Sequence, residues 1–269
     1  MVLKANSRIL LFAAIIVCGC FIPPLQAVTL SKEQLFQVAT LAARDGEYEK
    51  AAEFLKKVIE LDPRFSPAYN SLGMVSQALA GPNSAAEALR YYELALQSNP
   101  DYVDALNNAG RLYYAASQFG SAEQSLARSL KLRPGQPDIN LLLAWTYLFG
   151  QSRAEQAIKY FEQGLLLTDD AMAHYGLGLA HLLLDEKFKV FDQITVLRRS
   201  RKEELASRLE GMVRGNVKIS STPGTPLVTG VGQEPSLFDK ELQSLTASGF
   251  KSGSEGKGMQ VRLKGPLTD

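Results

Sequence analysis

The sequence predicts an all-α protein, an α-solenoid of stacked helix-turn-helix units closed by a capping helix and followed by a disordered tail. Three recurrences predict it. A pair rich in small residues returns at Val38-Ala39, Leu72-Gly73, Ala109-Gly110, Leu143-Ala144 and Leu177-Gly178, at steps of 34, 37, 34 and 34 residues. A second alanine returns at Ala51, Ala88, Ala122 and Ala157, each followed four residues later by Leu55, Tyr92, Leu126 or Phe161. Pro63, Pro100 and Pro134 close three units, and Asp169 stands where the fourth proline would fall. A fixed period of this length marks a repeat architecture. Small positions let paired helices approach closely, and a large residue one turn away fills the adjoining gap. Alanine, leucine and tyrosine are plentiful while β-branched runs are few, which also favours helix.

Taken in order, residues 1–27 have the layout of a secretory signal. Lys4 and Arg8 precede an apolar run from Ile9 to Ile22, too short to span about 30 Å of hydrocarbon as a helix. Pro23 and Pro24 then end any helix. Two cleavage schemes stay open. One cuts after Ala27, where Leu25-Gln26-Ala27 imperfectly matches a small-x-small site. In the other, Val17-Cys18-Gly19-Cys20 resembles a bacterial lipobox, the signal is 1–19, and Cys20 carries the lipid. The departures are Val17 where leucine is usual and Cys18 where alanine or serine is usual. Either scheme leaves at most one of the two cysteines in the mature chain, so no internal disulfide forms and stability must come from the core. The expected location is the periplasm or the periplasmic face of a bacterial membrane.

The repeat divides the middle of the chain into units at 32–65, 66–102, 103–136 and 137–170, with a degenerate fifth unit and a cap at 171–213. Three extra residues fall around Gly81-Pro82-Asn83-Ser84 and one near Gly150-Gln151, both in turns, where length is tolerated. Here the sequence resembles the tetratricopeptide repeat family. The third unit matches its pattern best, with Leu106, Ala109-Gly110, Tyr113, Ala122, Leu126 and Pro134. Ala42 and Ser76 stand where the first and second units should carry the tyrosine. In the fifth, His174, Leu177-Gly178 and His181 fit, but Val190 replaces the alanine. The resemblance covers about residues 32–197. It implies a right-handed solenoid whose first helices line a concave groove that holds other proteins. Each helical pair is too small to bury its own faces, so stability comes from stacking on neighbours. The charged stretch Lys187–Val213 is expected to form one long final helix that caps the last unit.

From Gly215 to Asp269 the composition shifts to 25 Gly, Pro, Ser or Thr in 55 residues, too little apolar surface to offset chain entropy. Residues 214–269 are therefore expected to be mostly disordered. One island departs: Ser236 and Asp239 approximate a capping box, Phe238, Leu242 and Leu245 share a helical face, and Gly249 supplies a stop. It is read either as a short docking helix or as a chance cluster.

Net charge is +1, so no overall field draws the chain to nucleic acid. His174 and His181 are too far apart along one helix to share a metal and sit at packing positions, so both are expected to be structural. No phosphate loop, nucleophile elbow or metal constellation appears, and no cofactor, metal or catalytic residue is expected.

The family resemblance places Phe36, Thr40 and Ala43, then Asn70, Met74 and Gln77, then Asn107, Arg111 and Tyr114 on the groove face. Leu141, Trp145 and Leu148, then Tyr175, Leu179 and Leu182 follow. These positions hold no lysine, so the basic clamp some family members use for C-terminal carboxylates is not reproduced. The expected site centres on Trp145, Tyr114 and Arg111 with Leu141 and Leu148 beside them, while Asn70 and Asn107 hold peptide backbone. The alternative for Trp145 is burial against the fifth unit or the cap. The leading expectation is an envelope adaptor or assembly factor that binds a segment of a partner protein. The competing one is a self-associating structural protein whose groove its own tail fills.

Overall fold

The computed structural model describes residues 30–79, 81, 83–151, 153–215, 218–219 and 228–229. The signal segment, Cys20, the 236–249 helix and most of the tail lie outside the described residues. Within them eleven helices follow one another. The first unit is α1 (Lys32–Arg44) and α2 (Tyr48–Leu61), the second α3 (Ser66–Ala78) and α4 (Ser84–Ser98), the third α5 (Val103–Ala115) and α6 (Phe119–Leu132). The fourth is α7 (Pro137–Gln151) and α8 (Ala154–Leu165), the fifth α9 (Ala171–Leu183) and α10 (Lys187–Arg199), and α11 (Glu203–Val213) closes the series. No helix among the described residues is long and apolar enough to cross a membrane. Beyond α11, Lys218–Ile219 pairs antiparallel with Val228–Thr229, with Ile219 opposite Val228.

The helix ends follow from local chemistry. Ser31 opens α1 with a capping box: its hydroxyl accepts from the Gln34 amide, and its own amide donates to Gln34 Oε1 at 2.8 Å. Asp170 caps α9 by accepting from the Ala173 amide at 2.8 Å. Asp62, Asn99 and Arg133 end α2, α4 and α6 in extended backbone, because each precedes a proline whose ring disfavours the helical region. The turn inside a unit uses a second device. Gly46, Ser117 and Asp185 all take positive φ, at 83°, 57° and 56°. In each case the next amide reaches back across the turn, Glu47 to the Ala42 carbonyl, Gln118 to Tyr113 and Glu186 to His181. These are Schellman closures, in which one left-handed residue lets the last carbonyls of a helix find donors.

The same closure corrects the expected single helix over Lys187–Val213. Arg201 takes φ 59° and the Lys202 amide donates to the Leu197 carbonyl at 2.8 Å, so the stretch breaks into α10 and α11. The charged residues signalled exposure and not continuity: α11 turns back to pack on α9 and α10. The extra residue near Gly150-Gln151 is absorbed by helix, since α7 runs 15 residues where α5 runs 13.

Each helix packs chiefly on its sequence neighbours. Contacts that skip one helix join first helices (α1–α3, α5–α7, α7–α9) and carry α11 onto α9. The first helices are thus the crowded inner layer and the second helices the splayed outer one. Glycines set the closeness. A Cβ at Gly110 would lie 2.6 Å from Leu126 Cδ2, and one at Gly73 would lie 2.5 Å from the Tyr92 ring, so these positions have room for hydrogen only. Leu126 and Tyr92 are fully buried and have no open side to move into. Gly178 meets Leu209 of α11 in the same way, which seats the cap.

Gly110→Leu is accordingly expected to destabilise the fold by roughly 1–3 kcal/mol or more, because added volume at a helix contact forces strain. Thermal or denaturant melting checks this, and an unchanged midpoint would remove Ala109-Gly110 as a packing pair.

Candidate peptide-binding groove

The inner face changes character along the solenoid. In units one and two Thr40 and Gln77 are exposed, and Phe36, Ala43 and Met74 are half-buried. In units four and five the corresponding positions are mostly closed: Leu141, Trp145, Leu148, Tyr175 and Leu179 are buried, and Leu182 is half-buried.

The sequence expectation of an open apolar patch centred on Trp145 is therefore corrected. Its indole is fully buried, edge-on to Phe161 of α8 at 4.9 Å and stacked with Phe149 at 5.3 Å. Gly176 of α9 supplies the space, since a Cβ there would come within 2.7 Å of the indole and closer still to Phe161. Trp145 thus wedges α7 against α8 and α9, one of the two outcomes the sequence left open. Leu141 fills the gap over Gly164 of α8, and Leu148 is fully buried in the same cluster. Tyr114 is buried edge-on to Phe119 at 5.7 Å, and burial drives its phenol far above the ordinary value. The Tyr175 phenol is pushed up to about 12 by its burial. Both phenols stay neutral at physiological pH, so this half of the inner layer carries no tyrosinate charge.

The polar residues expected to hold peptide backbone are engaged between units. Asn107 donates to Gln136 Oε1 at 2.7 Å and accepts from Ser129, while Gln136 donates to Ser129 Oγ at 3.0 Å. Ser129 and Gln136 are buried, and this ring ties α5 and α6 to the turn that closes unit three. Arg111 is buried and pairs with Asp138 in the first turn of α7. A carboxylate there also suits the positive end of the helix dipole. Asn70 accepts from Asn108 at 2.9 Å, joining units two and three. The amide pair Asn70–Asn108 was not legible beforehand, because Asn108 lies next to the groove position and outside the family pattern. The polar atoms of Asn70 and Arg111 thus hold neighbouring units together, those of Asn107 hold unit three to its closing turn, and Tyr114 packs on Phe119.

The two histidines have separate partners. His181 Nδ1 lies 2.7 Å from Glu186 Oε2, and His174 Nδ1 lies 2.8 Å from Gln193 Oε1. The Glu186 carboxyl is held below its usual range by its hydrogen bond to Lys189 and then by His181. Among the described residues no three of His, Cys, Asp or Glu come together in a way that could hold a metal ion.

Trp145→Ala is expected to cost about 3–5 kcal/mol of stability, the range for truncating a buried large side chain. A melting midpoint close to wild type would return Trp145 to the groove surface.

The comparisons with known proteins agree with this architecture. YrrB, described as a TPR protein with an unusual peptide-binding site, superposes with a TM-score of 0.61 at 19% identity, over 67% of this chain and 92% of its own. MamA 41-end from Desulfovibrio magneticus RS-1 gives 0.55 at 18% identity, over 64% and 96%. MamA of MSR-1 gives 0.52 at 15%, over 68% and 98%. At these identities the likeness is one of fold. No curated protein matches the sequence. Profiles of the tetratricopeptide repeat match residues 35–65, 79–146 and 142–187, together a little over half of the chain. With the 34-residue period, the glycine-to-bulky contacts and the paired helices in agreement, the chain belongs to the tetratricopeptide repeat family.

Proposed function

We propose that this protein is a non-catalytic scaffold that holds a segment of a partner protein along the inner face of units one and two. The observation that carries the reading is the unequal closure of that face. Units four and five have closed all but Leu182 of their inner positions, whereas Thr40 and Gln77 stand exposed beside Phe36, Ala43 and Met74. Such a surface offers an apolar floor with polar atoms at its rim, the composition that suits an extended peptide. Arg111 and Asn70 fix the spacing of neighbouring units and so the pitch of the groove. Family membership supports protein binding as the class of activity.

The compartment belongs to the same proposal. The layout of residues 1–27 supports export to a bacterial envelope, and Cys20 supplies the lipid tether if the lipobox-like scheme operates. The partner then belongs to an envelope assembly, such as pilus, secretion or outer-membrane machinery.

A photo-crosslinking amino acid at Thr40 or Gln77, in the full chain expressed in its bacterial host, tests both parts. The expected result is a discrete adduct with another protein, recovered with the periplasmic or membrane fraction. The same crosslinker at Arg90, exposed on α4 in the outer layer, should not give that adduct. An adduct in the cytoplasmic fraction would remove the compartment and leave the groove. No adduct at Thr40 or Gln77, or one containing only this chain, would overturn the groove reading.

A further inference from the structure

A second concave surface lies on the outer layer. Between α6 and α8, the second helices of units three and four, a cleft of about 520 Å³ opens. It arises because second helices diverge while the first helices beneath them stay in contact. The volume suits one or two side chains of a peptide with its backbone. Its apolar lining includes Leu130, Tyr160, Leu166 and Leu167, and the adjacent Leu166 and Leu167 are 85% and 54% exposed, which leaves a contiguous apolar patch open.

Charge says what fits there. Lys131 and Lys159 both line the cleft, and no acidic residue does among those described. Neighbouring cations are spent in ion pairs: Arg128 with Asp101, Arg133 with Asp104 and Arg153 with Glu123. Lys131 has no carboxylate partner among the described residues, and the Lys159 ammonium lies 5.5 Å over the Tyr160 ring without one. Two ammonium groups without a carboxylate partner among the described residues thus flank an apolar floor.

A third observation comes from Asn140, which lines the cleft and is only 4% exposed. Its Nδ2 donates to the Gln136 carbonyl at 2.9 Å and to the Pro134 carbonyl at 3.5 Å, which fixes the amide orientation. Its Oδ1 therefore faces away from those carbonyls, and it accepts from nothing among the described residues. It is a polar acceptor on the cleft wall with no protein donor among the described residues. A peptide N–H entering the cleft would supply one.

We propose that the α6–α8 cleft binds an acidic peptide segment of a partner protein, anchored by a leucine or similar side chain. Acidic side chains meet Lys131 and Lys159, the apolar side chain covers Leu130 and Leu166, and a backbone N–H reaches Asn140 Oδ1. This site is independent of the groove reading, because it shares no residue with it. The scaffold then holds two segments at once, one on each face.

The test uses purified full-length chain and a fluorescein-labelled hexapeptide probe, Glu-Asp-Leu-Glu-Asp-Leu, followed by anisotropy. Saturable binding that weakens with added salt is expected, and the matched probe with lysine in place of the acids should not bind. The double variant Lys131→Glu with Lys159→Glu should weaken binding by about tenfold or more, because it turns attraction into repulsion. Leu166→Ser should also weaken it, and its exposure means that melting stays unchanged. Failure to bind the acidic probe, equal binding of the lysine probe, or full affinity in both variants would each overturn the proposal.

Discussion

The fold depends on one contact repeated along the chain, a position without a side chain on one helix pressed against a bulky residue of another. Gly73 meets Tyr92, Gly110 meets Leu126, Gly164 meets Leu141, Gly176 meets Phe161 and Trp145, and Gly178 meets Leu209. In each the glycine hydrogen sits where a Cβ would collide, so the helices come closer than any other residue permits. The first two contacts join the helices of one unit. The contact at Gly176 joins one unit to the next, and the contact at Gly178 seats the cap on the last. The order of the whole solenoid follows from these short-range contacts.

That is why the fold was legible in the sequence and the site was less so. The 34-residue spacing records the glycine and alanine contacts directly, since the same positions must recur wherever the same contact recurs. The prolines at 63, 100 and 134 likewise report helix ends that the structure shows as extended residues before proline. Trp145 was harder. Its place in the repeat points to the inner face, but Gly176, two residues ahead of Gly178 and outside the recurring pair, opens a space between α7 and α9 that the indole enters. The break at Arg201 was hidden for a similar reason, because a left-handed arginine leaves no compositional mark of the kind that Gly46 does.

Polar residues divide the work differently from apolar ones. The Arg111–Asp138 pair and the Asn70–Asn108 bond each span a boundary between units, and the ring of Asn107, Ser129 and Gln136 locks the two helices of unit three to its closing turn. Buried hydrogen bonds of this kind add modest net stability but exclude alternatives in which the groups lose their partners. They hold the pitch of the inner layer while the glycine contacts hold its closeness. A groove of fixed pitch presents regularly spaced rim atoms to a bound segment, which connects the packing to the proposed binding.

The core is also unequal along the solenoid. One large cluster runs from Tyr114 to Met212 through α5–α11, a smaller one joins α1–α3, and between them Ala88, Tyr92 and Ala109, with half-buried residues such as Met74 and Tyr113, form a small third one. If stability is set by contacts between neighbours, the two ends should open independently. Native-state hydrogen exchange measures this helix by helix. The account predicts slowest exchange in α7–α9, with α1 and α2 exchanging faster through openings that leave α7–α9 protected. Uniform protection across all units, or slowest exchange in α1 and α2, would contradict it.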